Sequence, residues 1–338
     1  MSTPNPAPWG LLCLASALGA ALGALLTLSW QSSAQPFAAL IPHCSGGGSA
    51  ASSDPFVVRG ERAFCTPLKD YAADDPSNSI LRFLHKGSPS FWVSVPVADH
   101  AGLAASALQG GGLMASGYEI FQQYVGDTPE DAIILDIGGH FGFAGVPMAA
   151  TGRSVISFEP VPSNQRLHKL AVCLNGFFDR YTLVLGAVGE RNGNITLHIP
   201  SKGWTDNAAL SEGASKENPF VGGQTTPTPV RLFSLDAFAA AHMAAGEVAR
   251  VGFVKVDVQG AETGVFRGGR ALFSALMPGT WVMAEHFPSL MLLSGFQSHD
   301  DVDAMLPLGY TVHGEKHGPE IAPDLWDNFV GDLWFKKV

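Results

Sequence analysis

The sequence predicts an α/β fold, with a mostly parallel sheet covered by helices on both faces and an apolar segment ahead of it. Three observations predict it. From about residue 129 onward, short β-rich runs alternate with helical patterns, the pattern expected of strands joined by crossover helices. The stretch "DAIILDIGGHFGF" at 131–143 carries an apolar run suited to a sheet interior straight into an acid and a burst of glycines. Residues 10–30 hold no charge, and they are about long enough to cross a bilayer core of roughly 30 Å at about 1.5 Å per residue.

The chain divides in order into a short tail at 1–8, an anchor or signal at 9–30, a tether at 31–53, an extension at 54–128 and the main domain at 129–338. Length and flanks favour an N-terminal transmembrane helix. The alternative is a cleaved signal, for which Ser32-Ser33-Ala34 supplies small residues. The tether includes "SGGGSAASS", a flexible Gly/Ser tract. This layout is that of a single-pass membrane protein of the secretory pathway, in the Golgi or endoplasmic reticulum, or of a secreted one if the segment is removed. Cys13, Cys44, Cys65 and Cys173 show no metal-ligand spacing. Cys44 and Cys65 flank the tether and either pair in an oxidising lumen or stay reduced. Asn194-Ile195-Thr196 is a glycosylation sequon, useful only in a lumenal domain.

Within the extension, "SGYEIFQQYV" reads as a helix leaning on the opening of the sheet. Strands are expected at 132–137, 154–158, 181–187, 194–199, 251–258, 280–286, near 309–313 and at 329–336, from their apolar and β-branched runs. Helices are expected at 143–150, 162–175, 234–245, 261–275 and 299–306. Asn192-Gly193 predicts a hairpin turn between 181–187 and 194–199. Residues 200–229 read as a long functional loop, with Trp204 a candidate platform for a sugar ring or a core residue beneath the loop. Acidic residues outnumber basic ones, 30 to 20, for a net charge of −10, and no Lys/Arg run appears. Nucleic acid is therefore not an expected partner, because phosphate binding relies on concentrated positive charge.

In open α/β sheets, ligands bind beyond the carboxyl ends of strands, where glycines let backbone N–H groups come close. Asp136, Gly138, Gly139, His140 and Gly142 occupy that place. A carboxylate in the loop repels a pyrophosphate but suits a ligand with an amino group. Glu159, ending the next strand in "VISFEPVP", can accept both hydroxyls of a ribose. Together these describe S-adenosylmethionine better than a nicotinamide dinucleotide. "VKVDVQGAETGVFRGG" at 254–269 then delivers Lys255, Asp257 and Glu262. Asp257 and Glu262 are candidates to take a proton from a hydroxyl acceptor during methyl transfer. Their alternative roles are to cap the following helix and to complement its dipole. "WVMAEHFPSL" places Glu285 and His286 at another strand end. His286 is either a proton acceptor or a structural hydrogen-bonding residue.

Taken together, "LDIGGHFGF", "SFEPVPSNQRLHKLAVCLNG", "LFSLDAF", "FVKVDVQGAETGVFRGG" and "VMAEHFP" resemble the FkbM family of S-adenosylmethionine-dependent methyltransferases, over roughly residues 115–338. The resemblance implies a class I methyltransferase (Rossmann-like) fold, a seven-stranded sheet with its last strand antiparallel, and O-methylation. It also implies that Asp136, Gly138 and Gly142 line the methionine end of the cofactor, Glu159 its ribose, and Asp257 and Glu262 the transferring methyl. His140 departs from the family's usual Asn and Gln259 from its usual Glu, which shifts weight to Asp257. The expected function is O-methylation of a small-molecule or glycan hydroxyl, plausible for a sugar on a membrane-tethered enzyme. The competing readings are a nicotinamide-dependent oxidoreductase, disfavoured by the absence of G-x-G-x-x-G, and a non-catalytic binding module of the same fold.

Overall fold

The computed structural model describes residues 54–65, 78–83, 89–96, 120–200, 208–210 and 224–338. The expected tail, anchor and tether, with Cys13 and Cys44, lie outside the described residues, as does Trp204. Among the described residues no helix is long and apolar enough to cross a membrane.

In chain order the elements are β1 (Val57–Val58), α1 (Glu61–Cys65), β2 (Asn78–Phe83), β3 (Phe91–Pro96), α2 (120–126), β4 (Ile133–Ile137), α3 (Gly145–Ala150), β5 (Ser154–Glu159), α4 (Pro162–Asn175), β6 (Tyr181–Leu185), β7 (Ala187–Val188) and β8 (Gly193–Pro200). There follow β9 (Thr225–Phe233), α5 (Leu235–His242), β10 (Val251–Val256), α6 (Glu262–Gly268), α7 (Arg270–Ala275), β11 (Trp281–His286), α8 (Pro288–Leu293), α9 (Asp300–Met305), β12 (Tyr310–His313) and β13 (Gly331–Lys337).

The main sheet has the order β1-β6-β5-β4-β10-β11-β13-β12. Strands β6 to β11 in that row run parallel, and β13 runs antiparallel to both neighbours. Seven strands thus give the expected class I arrangement. The eighth, β1, comes from the extension and pairs antiparallel with β6, so the expectation of seven is corrected by one. The extension also feeds the core, with Phe64, Phe91, Val93 and Val125 all buried in one cluster.

Strand alternation divides the core between the two faces of the sheet. In β4, Ile134 packs on one face while Ile133, Leu135 and Ile137 pack on the other. In β10, Phe253 lies on the first face and Val254 and Val256 on the second. Helix α4 begins with Pro162, tolerated there because its missing N–H is unneeded, and ends at Gly176 with φ 67°.

Four expectations are corrected. Asn192-Gly193 closes no hairpin with the strand before it, because both edges of β6 are already taken by β5 and β1. Strand β8 pairs antiparallel with β9 along its whole length, and β7 lies parallel to β9, forming a separate three-stranded sheet. The expected loop at 200–229 therefore ends in strand from Thr225 onward. The expected helix 261–275 breaks at Gly268-Gly269, where a Cβ on Gly268 would stand 1.9 Å from the Gly189 carbonyl oxygen. Close approach of two backbones has displaced helix continuity. Cys65 bonds to Cys173, not Cys44. Burial of Phe64 brings α1 onto α4 and sets the two Cα atoms 5.4 Å apart, within disulfide reach.

Candidate active site

The site is built at the carboxyl tips of β4, β5, β10 and β11. In the parallel register, Asp136 stands beside Ser157 on one side and Lys255 on the other. These three side chains share one face because neighbours in register point the same way. Ser157 donates to Asp136 Oδ2 at 2.9 Å, and Lys255 Nζ lies 3.7 Å from Asp136 Oδ1. The ammonium also donates to the Gly138 carbonyl at 2.9 Å and reaches Asp257 Oδ2 at 3.2 Å. A buried lysine therefore ties the glycine loop to the end of β10.

The loop is shaped by backbone demands. The amides of Gly138 and Gly139 both donate to the Phe158 carbonyl, at 3.1 and 2.9 Å. Gly138 has φ 86°, and a Cβ there would meet the Asp257 carbonyl oxygen at 1.8 Å, so only glycine fits. His140 follows at φ 51° and donates its amide to Glu159 Oε2 at 2.7 Å. Glu159 Oε1 accepts from the Val161 amide at 2.7 Å and from Asn164 Nδ2 at 3.3 Å. Beyond β10, Gln259 sits at φ 56° and its Nε2 donates to Asp257 Oδ1 at 3.1 Å and to Glu285 Oε2 at 2.7 Å.

These residues line one cavity of about 490 Å³. Gly138, Gly139, His140 and Glu159 form one part of its wall, and Lys255, Asp257, Gln259 and Glu285 another. The strand ends after β6 and the side sheet complete it with Val188, Ile195, Leu197 and Leu232. Burial pushes the Glu159 carboxyl up to about 8, against the hydrogen bonds that favour its ionised form. Burial likewise holds the His140 imidazole down at about 3, so it is neutral. For Asp136 burial raises the carboxyl despite Lys255. Burial would also raise Asp257, but the Lys255 cation and the Gln259 amide outweigh it and hold that carboxyl below its ordinary value. Glu285 is driven well above the usual carboxylate range, first by burial and then by Asp257. Lys255 stays charged, pushed up to about 12 because Asp257 and Asp136 outweigh its burial.

The structure brings Gly138, Gly139, His140, Glu159 and Asp257 together at the cavity. It does not bring Asp136, Gly142, Glu262 or His286 there. Asp136 is fully buried under the loop, where it serves as counter-ion to Lys255. Gly142 faces the packing behind the loop: a Cβ would meet Val146 at 2.7 Å and His168 at 3.2 Å. Glu262 is fully buried and turns back on its own helix start, its Oε1 accepting from the Val258 and Gly260 amides at 3.0 and 3.3 Å. His286 is also fully buried, with Nδ1 2.8 Å from Asp301 Oδ2 and Nε2 3.2 Å from the Trp326 carbonyl. Strand parity explains the last case. Trp281 and Met283 lie on one face and Val282 and Ala284 on the other, so Glu285 faces the site and His286 faces away. Lys255, Gln259 and Glu285, left without a role by the sequence, line the cavity; the same parity, applied to "VKVDV" and "WVMAEH", was the signal that could have found Lys255 and Glu285, whereas Gln259 lies beyond the end of β10.

The model of the Methyltransferase FkbM domain matches residues 136–316. The chain belongs to the FkbM methyltransferase family. A comparison with curated proteins finds no significant match. Among solved structures, the chain is similar to an O-methyltransferase from Bacillus cereus in complex with SAH, at 10% identity and TM-score 0.37, covering 71% of this chain and 90% of that one. It is similar also to precorrin-6y C5,15-methyltransferase from Geobacter metallireducens GS-15, at 9% identity and TM-score 0.35, covering 65% and 88%. An RNA methyltransferase from Salinibacter ruber in complex with S-adenosyl-L-homocysteine aligns at 12% identity and TM-score 0.29, covering 65% and 89%. Similarities this low carry no argument; family membership and strand order do.

The FkbM chain is an S-adenosylmethionine-dependent methyltransferase, and the oxidoreductase reading falls with that. The residues present fit the cofactor. His140 Nε2 is a buried polar atom with no hydrogen-bond partner, on a residue that lines the cavity. The carboxyl groups of Glu159, Asp257 and Glu285 face the same space around Lys255, and Glu190 and Arg191 also line it; acids outnumber cations there, which suits a cationic ligand with hydroxyls.

Proposed function

We propose that this methyltransferase methylates a hydroxyl oxygen of a small-molecule or glycan acceptor, and that it does so tethered to a membrane of the secretory pathway. The observation that carries the reaction class is the pair of carboxylates, Asp257 and Glu285, bridged by Gln259 on the cavity wall. A hydroxyl, unlike a neutral amine, loses its nucleophilic weakness only as its proton is removed, so a carboxylate at the reacting end suits oxygen. S-adenosylmethionine supplies an electrophilic methyl group on a sulfonium. The loop Gly138–His140 and Glu159 would hold the cofactor, with Glu159 at its ribose. Lys255 keeps Asp257 in place and charged, and the side-sheet residues Ile195, Leu197 and Leu232 keep water from the cavity wall.

The Cys65–Cys173 bond supports an oxidising compartment. Asn194 of the sequon is exposed on β8, where glycosylation enzymes can reach it. A net charge of −10 speaks against a nucleic-acid acceptor. The glycan acceptor rests on the apolar segment and tether of the sequence. The test is a labelled-methyl assay of the full chain on total cell glycans, lipids, small metabolites and nucleic acids. Label in an alkali-stable ether on a sugar or small molecule supports the proposal; label solely on nitrogen, sulfur or nucleic acid refutes it.

A further inference from the structure

The two carboxylates on the cavity wall are not equivalent. Asp257 is held at both oxygens, by the Gln259 amide at 3.1 Å and the Lys255 ammonium at 3.2 Å. Glu285 accepts from the same Gln259 nitrogen at 2.7 Å and forms no salt bridge among the described residues. One amide nitrogen thus spends both hydrogens on two acids. It does so from a non-glycine residue in the left-handed region, φ 56°, a conformation the surrounding structure must enforce. An ion-paired, doubly held aspartate is a poor base, whereas a carboxylate without its own cation is a better one.

We propose that Glu285 is the proton acceptor of the reaction and that Gln259 positions it, Asp257 being the fixed counter-ion of Lys255. This rests on the hydroxyl reading above. As the acceptor oxygen bonds to the methyl carbon, the carbon–sulfur bond breaks with its electron pair kept on sulfur. The hydroxyl proton passes to the Glu285 carboxylate, so one positive and one negative charge are consumed and no further reactant is needed. The charged and titratable groups facing Glu285 are Asp257 and Lys255 from the β10 side, Glu262 from α6, and Asp332, its register partner on β13. Burial and these acids favour its protonated form. A sulfonium placed in the cavity acts in the opposite direction and favours the carboxylate.

Calorimetric titration of the full chain with S-adenosylmethionine and with S-adenosylhomocysteine, in buffers of different ionisation enthalpy near pH 7, counts the protons released with each ligand. The two ligands differ at sulfur by one charge and one methyl. S-adenosylmethionine is expected to release up to about one proton more than the homocysteine analogue. Glu285→Gln removes that difference, weakens S-adenosylmethionine in proportion to the lost proton release, and leaves S-adenosylhomocysteine within about threefold of wild type. Equal counts in the wild type, or a difference that survives Glu285→Gln, overturn the proposal. If Glu285→Gln binds neither ligand, Glu285→Asp must restore both binding and the extra proton; failure of either overturns it too. Label found on nitrogen with the proton difference intact would instead refute the hydroxyl reading and leave Glu285 standing.

Discussion

The bond between Cys65 and Cys173 closes a loop with a sequence separation of 108 residues. It pins the segment that carries β1, whose pairing covers the edge of β6. The same segment places Arg59, which donates to Thr182 Oγ1 at 3.0 Å and to the His242 carbonyl at 3.2 Å. Replacing both cysteines by alanine frees that loop in the unfolded chain. The loop-entropy relation gives about 16 cal/mol/K for a closure of this length, or about 5 kcal/mol at 25 °C. Native disulfides removed from other domains cost roughly 2–5 kcal/mol, so the figure sits at the upper end. With about 2–4 °C of melting temperature per kcal/mol for a domain somewhat smaller than this one, a fall of roughly 5–15 °C is expected. Differential scanning calorimetry of Cys65→Ala/Cys173→Ala against wild type measures it, and a thiol reductant should bring wild type down to the variant. A double variant melting within about 1 °C of wild type, or a peptide map linking Cys65 to another cysteine, refutes the reasoning.

Gly138→Ala must move the backbone at Asp257 as well as strain a positive φ; a cost of at least about 1–3 kcal/mol in stability should appear with loss of S-adenosylmethionine affinity by calorimetry. Glu159→Ala should abolish that affinity. Glu159→Gln gives the pH test: a carboxyl raised from 4.5 to about 8 contributes stability that is present below about 4.5 and is lost as pH rises through about 8. The variant should therefore gain on wild type in thermal stability across that window, and parallel curves would contradict the burial argument. His286→Ala should leave ligand affinity within about twofold while costing roughly 3–5 kcal/mol, because Asp301 is left buried without its partner; denaturant titration and ligand titration separate the two. Lys255→Met strands Asp136 in the same way, and Lys255→Met/Asp136→Asn should recover most of that stability without recovering ligand binding.

The parts of the fold legible in the sequence were those fixed by local chemistry. Helix α4 runs over the predicted residues because Pro162 and Gly176 set its ends within the sequence itself. The parallel strands were legible because both of their faces are buried and their runs are nearly all apolar. Where pairing depended on what else occupied an edge, local signals failed. Asn192-Gly193 has the composition of a hairpin turn, but β1 arrives from more than a hundred residues away to take the edge that such a hairpin would need. The disulfide partner of Cys65 was hidden for the same reason, since it follows from the docking of α1 on α4 and not from spacing.

Residue type alone did not separate the acids near strand tips: Glu159 and Asp257 line the cavity, while Asp136 and Glu262 are buried away from it. Asp136 does belong to the discrimination that the sequence suggested, though at one remove. Its carboxylate cannot touch a ligand, being fully buried, but it holds Lys255 against the loop carbonyl and against Asp257. The lysine's charge is thereby spent within the protein on two acids, and among the described residues Glu159 and Glu285 face the cavity without a salt bridge of their own. A sulfonium with an amino group meets complementary charge at Glu159 and Glu285, and of the cations on the cavity wall Lys255 is already paired within the protein while Arg191 is exposed. Charge complementarity to such a ligand is therefore a property of the whole buried network and not of a single acid in the loop.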